Sequence, residues 1–216
     1  MEEKSIKGCI PNVVSYNTVL KAFANDKARA WASEAEELIQ RMIELSSSQE
    51  RPSVKPNIIT LNTFLNILSR VGTADAVAKA RKLLMSTTNN YDKGVSDVRP
   101  DTFSFNAVIK VCANVRGSQV EKEEALQTAC EIFELLEKTN YAKPSYFTFT
   151  LMLQAVTRLA NSQVEANELF ESIVKKCITR KLVSRGVLHQ MHRASMPQVK
   201  QLDPEWSRNV PSYDRP

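Results

Sequence analysis

Glycine is scarce, with five in 216 residues, which leaves little scope for β-hairpins. No apolar run approaches the length of a membrane span, so no membrane partner is expected. The four cysteines, Cys9, Cys112, Cys130 and Cys177, show no paired spacing. Cys112 and Cys130 fall at positions expected to be buried in helices, which points to a reducing compartment rather than a disulfide framework. There is no glycine-rich phosphate loop, no H-x-E with C-x-x-C of a zinc deaminase and no cluster of aspartates for a metal-dependent nuclease. Histidine occurs only twice, as His189 and His192. Spaced three apart on a predicted helix, they would share one side of it, and a solvated or partner-facing terminal helix is preferred to a metal site. No catalytic residue, metal or cofactor is assigned, and the chain reads as a binding module. Hydrophobic residues make up 43% of it, enough for a sizeable core, and the net charge of +5 leans towards anionic partners.

What is present is a repeat. The stretch VVSYNTVLKAFAN from Val13 returns as IITLNTFLNILSR from Ile58, TFSFNAVIKVCAN from Thr102 and YFTFTLMLQAVTR from Tyr146, at intervals of 45, 44 and 44 residues. Apolar residues occupy the fourth, seventh, eighth and eleventh places of each copy, as in Phe105, Val108, Ile109 and Cys112. That spacing predicts one buried helix face. The fifth, ninth and thirteenth places form a second stripe: Asn17, Lys21, Asn25; Asn62, Asn66, Arg70; Asn106, Lys110, Asn114; Thr150, Gln154, Arg158. None of these residues is acidic, although the chain holds 24 acidic residues. An ordinary solvated face would carry some of them, so the stripe is read as a working surface.

Each copy precedes a second amphipathic segment aligned on a small residue: Ala35, Ala80, Ala129 and Ala166. The small side chain lets paired helices approach while the larger ones fill the groove. A helical hairpin of this kind cannot bury its apolar face alone, so the fold class expected is all-α, a right-handed α-solenoid of stacked helix-turn-helix repeats. The expected divisions are 13–57, 58–101, 102–145 and a partial fourth unit at 146–181. Residues 1–12 read as the end of a preceding unit, with Met1–Lys7 as its last helical turns, so the array is expected to extend upstream. A capping helix is expected over 182–195, with Ser184 as a candidate cap. An irregular tail follows over 196–216, in which Trp206 either pins the tail to the solenoid or the tail is disordered. The longest linkers are placed at Ser46–Asn57 and Thr88–Asp101, with flexible runs at Ser46-Ser47-Ser48 and Asn89-Asn90.

The opening V-x-Y-N (Val14, Tyr16, Asn17), the later Ala35, Leu38, Ile39 and Met42, and the closing Lys55-Pro56-Asn57 together resemble the pentatricopeptide-repeat (PPR) family. The resemblance runs from Met1 to about Cys177. Repeats of about 44 residues are longer than the family's usual ones, in the manner of the PPR region of protein-only RNase P. The resemblance implies binding of single-stranded RNA at one base per repeat. It implies base reading by the fifth residue of a repeat with the last residue before the next: Asn17 with Asn57, Asn62 with Asp101, and Asn106 with Ser145, while Thr150 lacks a partner. It implies wedging between bases by Val14, Ile59, Phe103 and Phe147. By the family's pairing habit, Asn with Asp favours uracil, Asn with Asn or Ser favours cytosine, and Thr150 favours a purine. Lys21, Arg70, Lys110 and Arg158, further along the same face, are placed to meet phosphates.

Other readings of the same residues stay open at this point. Asparagine near a helix start also serves as a cap. Phe103 and Phe147 also suit packing between repeats, and any one of the cations is also an ordinary solvated charge. On the RNA reading the protein is an adaptor in organellar RNA processing, stability or translation, in a mitochondrion or plastid, with protein partners in RNA processing. The competing class is a tetratricopeptide-type protein-interaction solenoid. That class lacks the tyrosine–asparagine opening and keeps a period of about 34 residues.

Overall fold

The computed structural model describes residues 10–26, 31–47 and 51–193. Met1–Lys7, Cys9, Ser48, Ala194 and the tail with Trp206 lie outside them. The described residues form helices α1 (Val13–Asn25), α2 (Ala32–Ser47), α3 (Ile58–Leu68), α4 (Ala74–Asp92), α5 (Thr102–Ala113), α6 (Gln119–Lys138), α7 (Tyr146–Leu159), α8 (Gln163–Thr179) and α9 (Arg185–Arg193). Among them there is no strand, and no helix is long and apolar enough to cross a membrane. The protein is an all-helical solenoid. Helices α1, α3, α5, α7 and α9 pack in one row, each on the next, while α2, α4, α6 and α8 pack behind it.

The apolar spacing explains this order. In α5 and α7 the fourth, seventh, eighth and eleventh residues are all at most 1% exposed, from Phe105 to Cys112 and from Phe149 to Val156. The α1 stripe is more open at Val19 and Phe23, where the row begins among the described residues. Ala35, Ala80 and Ala129 are fully buried where the second helices meet the first, whereas Ala166, near the end of the row, is only half-buried. Outer helices are tied between repeats by ion pairs: Lys79 to Glu36 at 2.8 Å, Arg81 to Glu131 at 2.9 Å, and Glu137 to both Lys176 and Arg180.

The linkers are shorter than the sequence suggests. Helix α4 continues through Asn89 and Asn90 to Asp92 because its last turns are packed. Thr88 is buried, and Tyr91 meets the Tyr141 ring edge-on at 5.1 Å. The helix stops at Gly94, whose φ of +68° suits a residue without Cβ, and Gly94 and Val95 donate back to the carbonyls of Tyr91 and Asn90. Ser46 and Ser47 likewise belong to α2, their hydroxyls bonded to the Ile43 carbonyl. The terminal helix begins at Arg185 rather than Leu182. Lys181, at φ 56°, closes α8 first, and Ser184 is buried with its Oγ accepting from the Val187 amide.

Cys112 and Cys177 are buried and Cys130 is half-buried, all as free thiols. Burial pushes Cys112 and Cys177 up to about 12 and Cys130 up to about 11. Alkylation at pH 8 should therefore run at least about a hundredfold slower in the native chain than in urea. Because folding raises these values, their contribution to stability is complete below the ordinary thiol value near 9. It is lost as pH climbs from there towards 12. A pH series of urea melts should show that decline.

Candidate nucleic-acid interface

Each first helix starts in the same way. Asn12, Asn57, Asp101 and Ser145 are the N-caps of α1, α3, α5 and α7, and each forms a capping box with a serine or threonine at the third helical place: Ser15, Thr60, Ser104 and Thr148. The cap oxygen accepts early amides of the helix, and the hydroxyl accepts the cap amide. Each cap is worth about 1 kcal/mol. So Asn57, Asp101 and Ser145 are caps, whereas the sequence leaves the cap alternative open for Asn17, Asn62 and Asn106. Asn17, Asn62 and Asn106 are not caps, since each lies within a helix.

The caps nevertheless sit beside the fifth residue of the preceding repeat. Asn17 Nδ2 donates to Asn57 Oδ1 at 3.2 Å, and Asn62 Nδ2 donates to Asp101 Oδ1 at 3.2 Å. On the other side, Thr60 Oγ1 donates to Asn17 Oδ1 at 2.8 Å and Ser104 Oγ to Asn62 Oδ1 at 2.7 Å. The third pair differs. Thr148 shares its hydroxyl with Ser145 at 3.2 Å, and the buried Asn106 Oδ1 has no partner. Thr150 donates to the Tyr146 carbonyl, and α9 lies over it so closely that a Cβ on Gly186 would stand 2.9 Å from its Oγ1. The terminal helix thus occupies the place where another first helix would bring a cap.

Beside these residues runs an exposed apolar row. Val14 is 65% exposed, Ile59 45%, Phe103 54% and Phe147 47%, while the residue two places further on (Tyr16, Leu61, Phe105, Phe149) is buried in every copy. Packing between repeats therefore does not consume Phe103 and Phe147. Large apolar side chains left in register on one face mark a surface that meets something.

The cations lie further along the helices, and the structure gives two of them a second task. Arg70 Nη1 donates to the Ala24 carbonyl at 2.7 Å, and Arg158 Nη1 to the Ala113 carbonyl at 3.4 Å and Asn114 Oδ1 at 3.1 Å. Between them, Asn114 Nδ2 donates to the Ser69 carbonyl at 2.8 Å. The thirteenth residue of a repeat thus caps the carbonyl end of the preceding first helix, where backbone acceptors lack partners. Lys110 Nζ donates to Asn66 Oδ1 at 3.2 Å, and Lys21 is exposed. Carbonyls and amides leave these charges uncompensated. Among the described residues no ion pair joins Lys21, Arg70, Lys110 or Arg158 to an acid, whereas Lys79, Arg81, Lys176 and Arg180 on or beside the outer helices pair with glutamates. Burial, and secondarily the Arg70 charge, hold Lys110 below its usual value. Helices α1, α3, α5 and α7 contain no acidic residue, while α6 alone carries Glu121, Glu123, Glu124, Glu131, Glu134 and Glu137.

The capping boxes and the thirteenth-place caps are what the sequence reading missed. Both had a signal: a serine or threonine at the third place of every copy, and a long or amide donor at the thirteenth. His189 is exposed, and no group of three metal-ligating side chains occurs among the described residues.

Residues 1–70 match the pentatricopeptide repeat domain family. No curated protein matches the chain. The family match covers α1 to α3 and supports a pentatricopeptide repeat protein, in general terms one of RNA-binding type.

Proposed function

We propose that the chain is a sequence-specific single-stranded RNA-binding module whose first helices meet RNA along one face, one base per repeat. The observation that carries this is the exposed row Val14, Ile59, Phe103 and Phe147, running beside polar pairs that are fixed by neighbouring repeats. Aromatic and apolar side chains stack on any base, and amides beside them offer donors and acceptors to its edge. In this proposal Asn17 with Asn57, Asn62 with Asp101, and Asn106 with Ser145 read bases, with a purine taken under Thr150. Lys21, Arg70, Lys110 and Arg158 reach phosphates from first-helix stretches that carry no acid, Asp101 at the α5 cap being the one carboxylate among the base-reading pairs. The role follows the family's habit: an adaptor in RNA processing, stability or translation in a mitochondrion or plastid, with long repeats like those of the PPR region of protein-only RNase P.

The test is electrostatic. Binding of a single-stranded RNA oligonucleotide, followed by anisotropy, should weaken steeply with salt. Replacing all four cations with glutamine should flatten the log–log slope by about 3, at about 0.7 for each phosphate no longer neutralised. An unchanged slope in the quadruple variant would move the RNA path away from this face. Equal affinity for a duplex of the same sequence would contradict base reading.

A further inference from the structure

We propose that Thr60 and Ser104 are positioning residues that set base specificity, each fixing which end of the preceding repeat's asparagine amide meets a base. This rests on the RNA reading above and adds to it a residue outside the base-reading pairs. The hydroxyl is itself fixed. Thr60 Oγ1 accepts the Asn57 amide at 3.1 Å, and Ser104 Oγ accepts the Asp101 amide at 3.1 Å, so the proton is left to point elsewhere. The nearest acceptor is the asparagine oxygen, at 2.8 Å for Asn17 and 2.7 Å for Asn62; the cap oxygens are further, at 3.3 and 2.9 Å. The Asn57 oxygen already accepts the Ile59 and Thr60 amides, and the Asp101 carboxylate accepts the Ser104 amide. The asparagine is therefore clamped from both sides, oxygen to the hydroxyl and nitrogen to the cap.

In this proposal one hydrogen of the half-buried Asn62 amide is shared by the two Asp101 oxygens, at 3.2 and 3.4 Å, and the other meets the base. The amide offers a base a donor and withholds its acceptor. Uracil, with a carbonyl oxygen on its edge, fits that donor. Uracil carries a carbonyl on each side of its N3–H, whereas guanine offers one carbonyl, O6, beside two donors, N1–H and the amine, so an amide that only donates fits uracil in more poses than guanine. Were the amide free to turn over, its oxygen would accept from guanine and the discrimination would fall. The third repeat supplies the comparison within the same molecule, because Thr148 turns to Ser145 and Asn106 Oδ1 is buried without a partner. No hydrogen bond joins Asn106 to Thr148 or to Ser145, so it lacks both halves of the clamp.

The experiment uses the wild-type chain and the variants Ser104→Ala and Ser104→Thr. Single-stranded RNA pools with one base randomised at a time give the uracil-to-guanine ratio under each repeat, and melts by circular dichroism check the fold. In wild type the ratio should be about tenfold at the second base and no more than about threefold at the third. Ser104→Ala should lower the second to the level of the third and leave the first unchanged, and Ser104→Thr should keep it near tenfold. A general weakening of the helix start would reduce affinity for all bases alike, which a ratio does not register. The proposal is overturned if Ser104→Ala keeps the ratio, if the ratio falls equally at every position, or if wild type discriminates as sharply at the third base as at the second. Should Ser104→Ala fail to melt cooperatively, Thr60→Val against Thr60→Ser makes the same comparison at the first base. A wild type that binds RNA without base preference anywhere would overturn the base-reading function itself, and this refinement with it.

Discussion

Replacing Phe103 and Phe147 together with alanine should lower affinity for single-stranded RNA by about a hundredfold or more, with little change in the melting curve. Stacking on an aromatic is worth about 1–3 kcal/mol per base, and the two rings belong to successive repeats. Both side chains are about half exposed in the free protein, so their truncation leaves no cavity. Anisotropy titrations with a fixed oligonucleotide measure the first effect and thermal melts the second. A loss of stability without a loss of affinity would reassign the row to packing.

The opposite outcome is expected two residues away. Phe105 has no exposed surface and stands in α5, which packs on α3, α4, α6 and α7. Phe105→Ala should cost about 3–5 kcal/mol, the usual range for a core phenylalanine. Set against the roughly 5–15 kcal/mol that holds a domain folded, that is a large share. In a solenoid the loss is shared with the neighbouring repeats, because each is stable only through its interfaces. The urea midpoint should therefore fall far more for Phe105→Ala than for Phe103→Ala. Comparable shifts in the two would mean that the exposed and buried faces of α5 are wrongly assigned.

This contrast shows how far the sequence could be read. The third place of a copy faces its own helix start, the fourth faces the core and the fifth faces the following repeat. Phe105 was legible as core because three other copies carry an apolar residue at the same place. The row from Val14 to Phe147 was legible as a row, but its exposure depends on how tightly first helices stack, which only the structure shows. Asn89 and Asn90 looked like linker because both are polar. They are helical because Thr88 and Tyr91, on the other side of the turn, pack inward, with Tyr91 against Tyr141 about fifty residues later. Arg70 and Arg158 were legible as cations on the right face. Their bonds to Ala24 and Ala113 were not, because the acceptors are backbone carbonyls of another repeat and leave no mark in composition.

Base reading rests most directly on the preference under Asn62. Asn62 is only half-buried, and its amide is held between Asp101 and Ser104. A threonine there is shorter and leaves room for a purine. The measurement is a binding selection on wild type and Asn62→Thr, grafted into a longer array of the same repeats, with the second base randomised. Wild type should select uracil and the variant should shift towards guanine, with the flanking preferences intact. Uracil surviving in Asn62→Thr, or no preference in wild type, would contradict it.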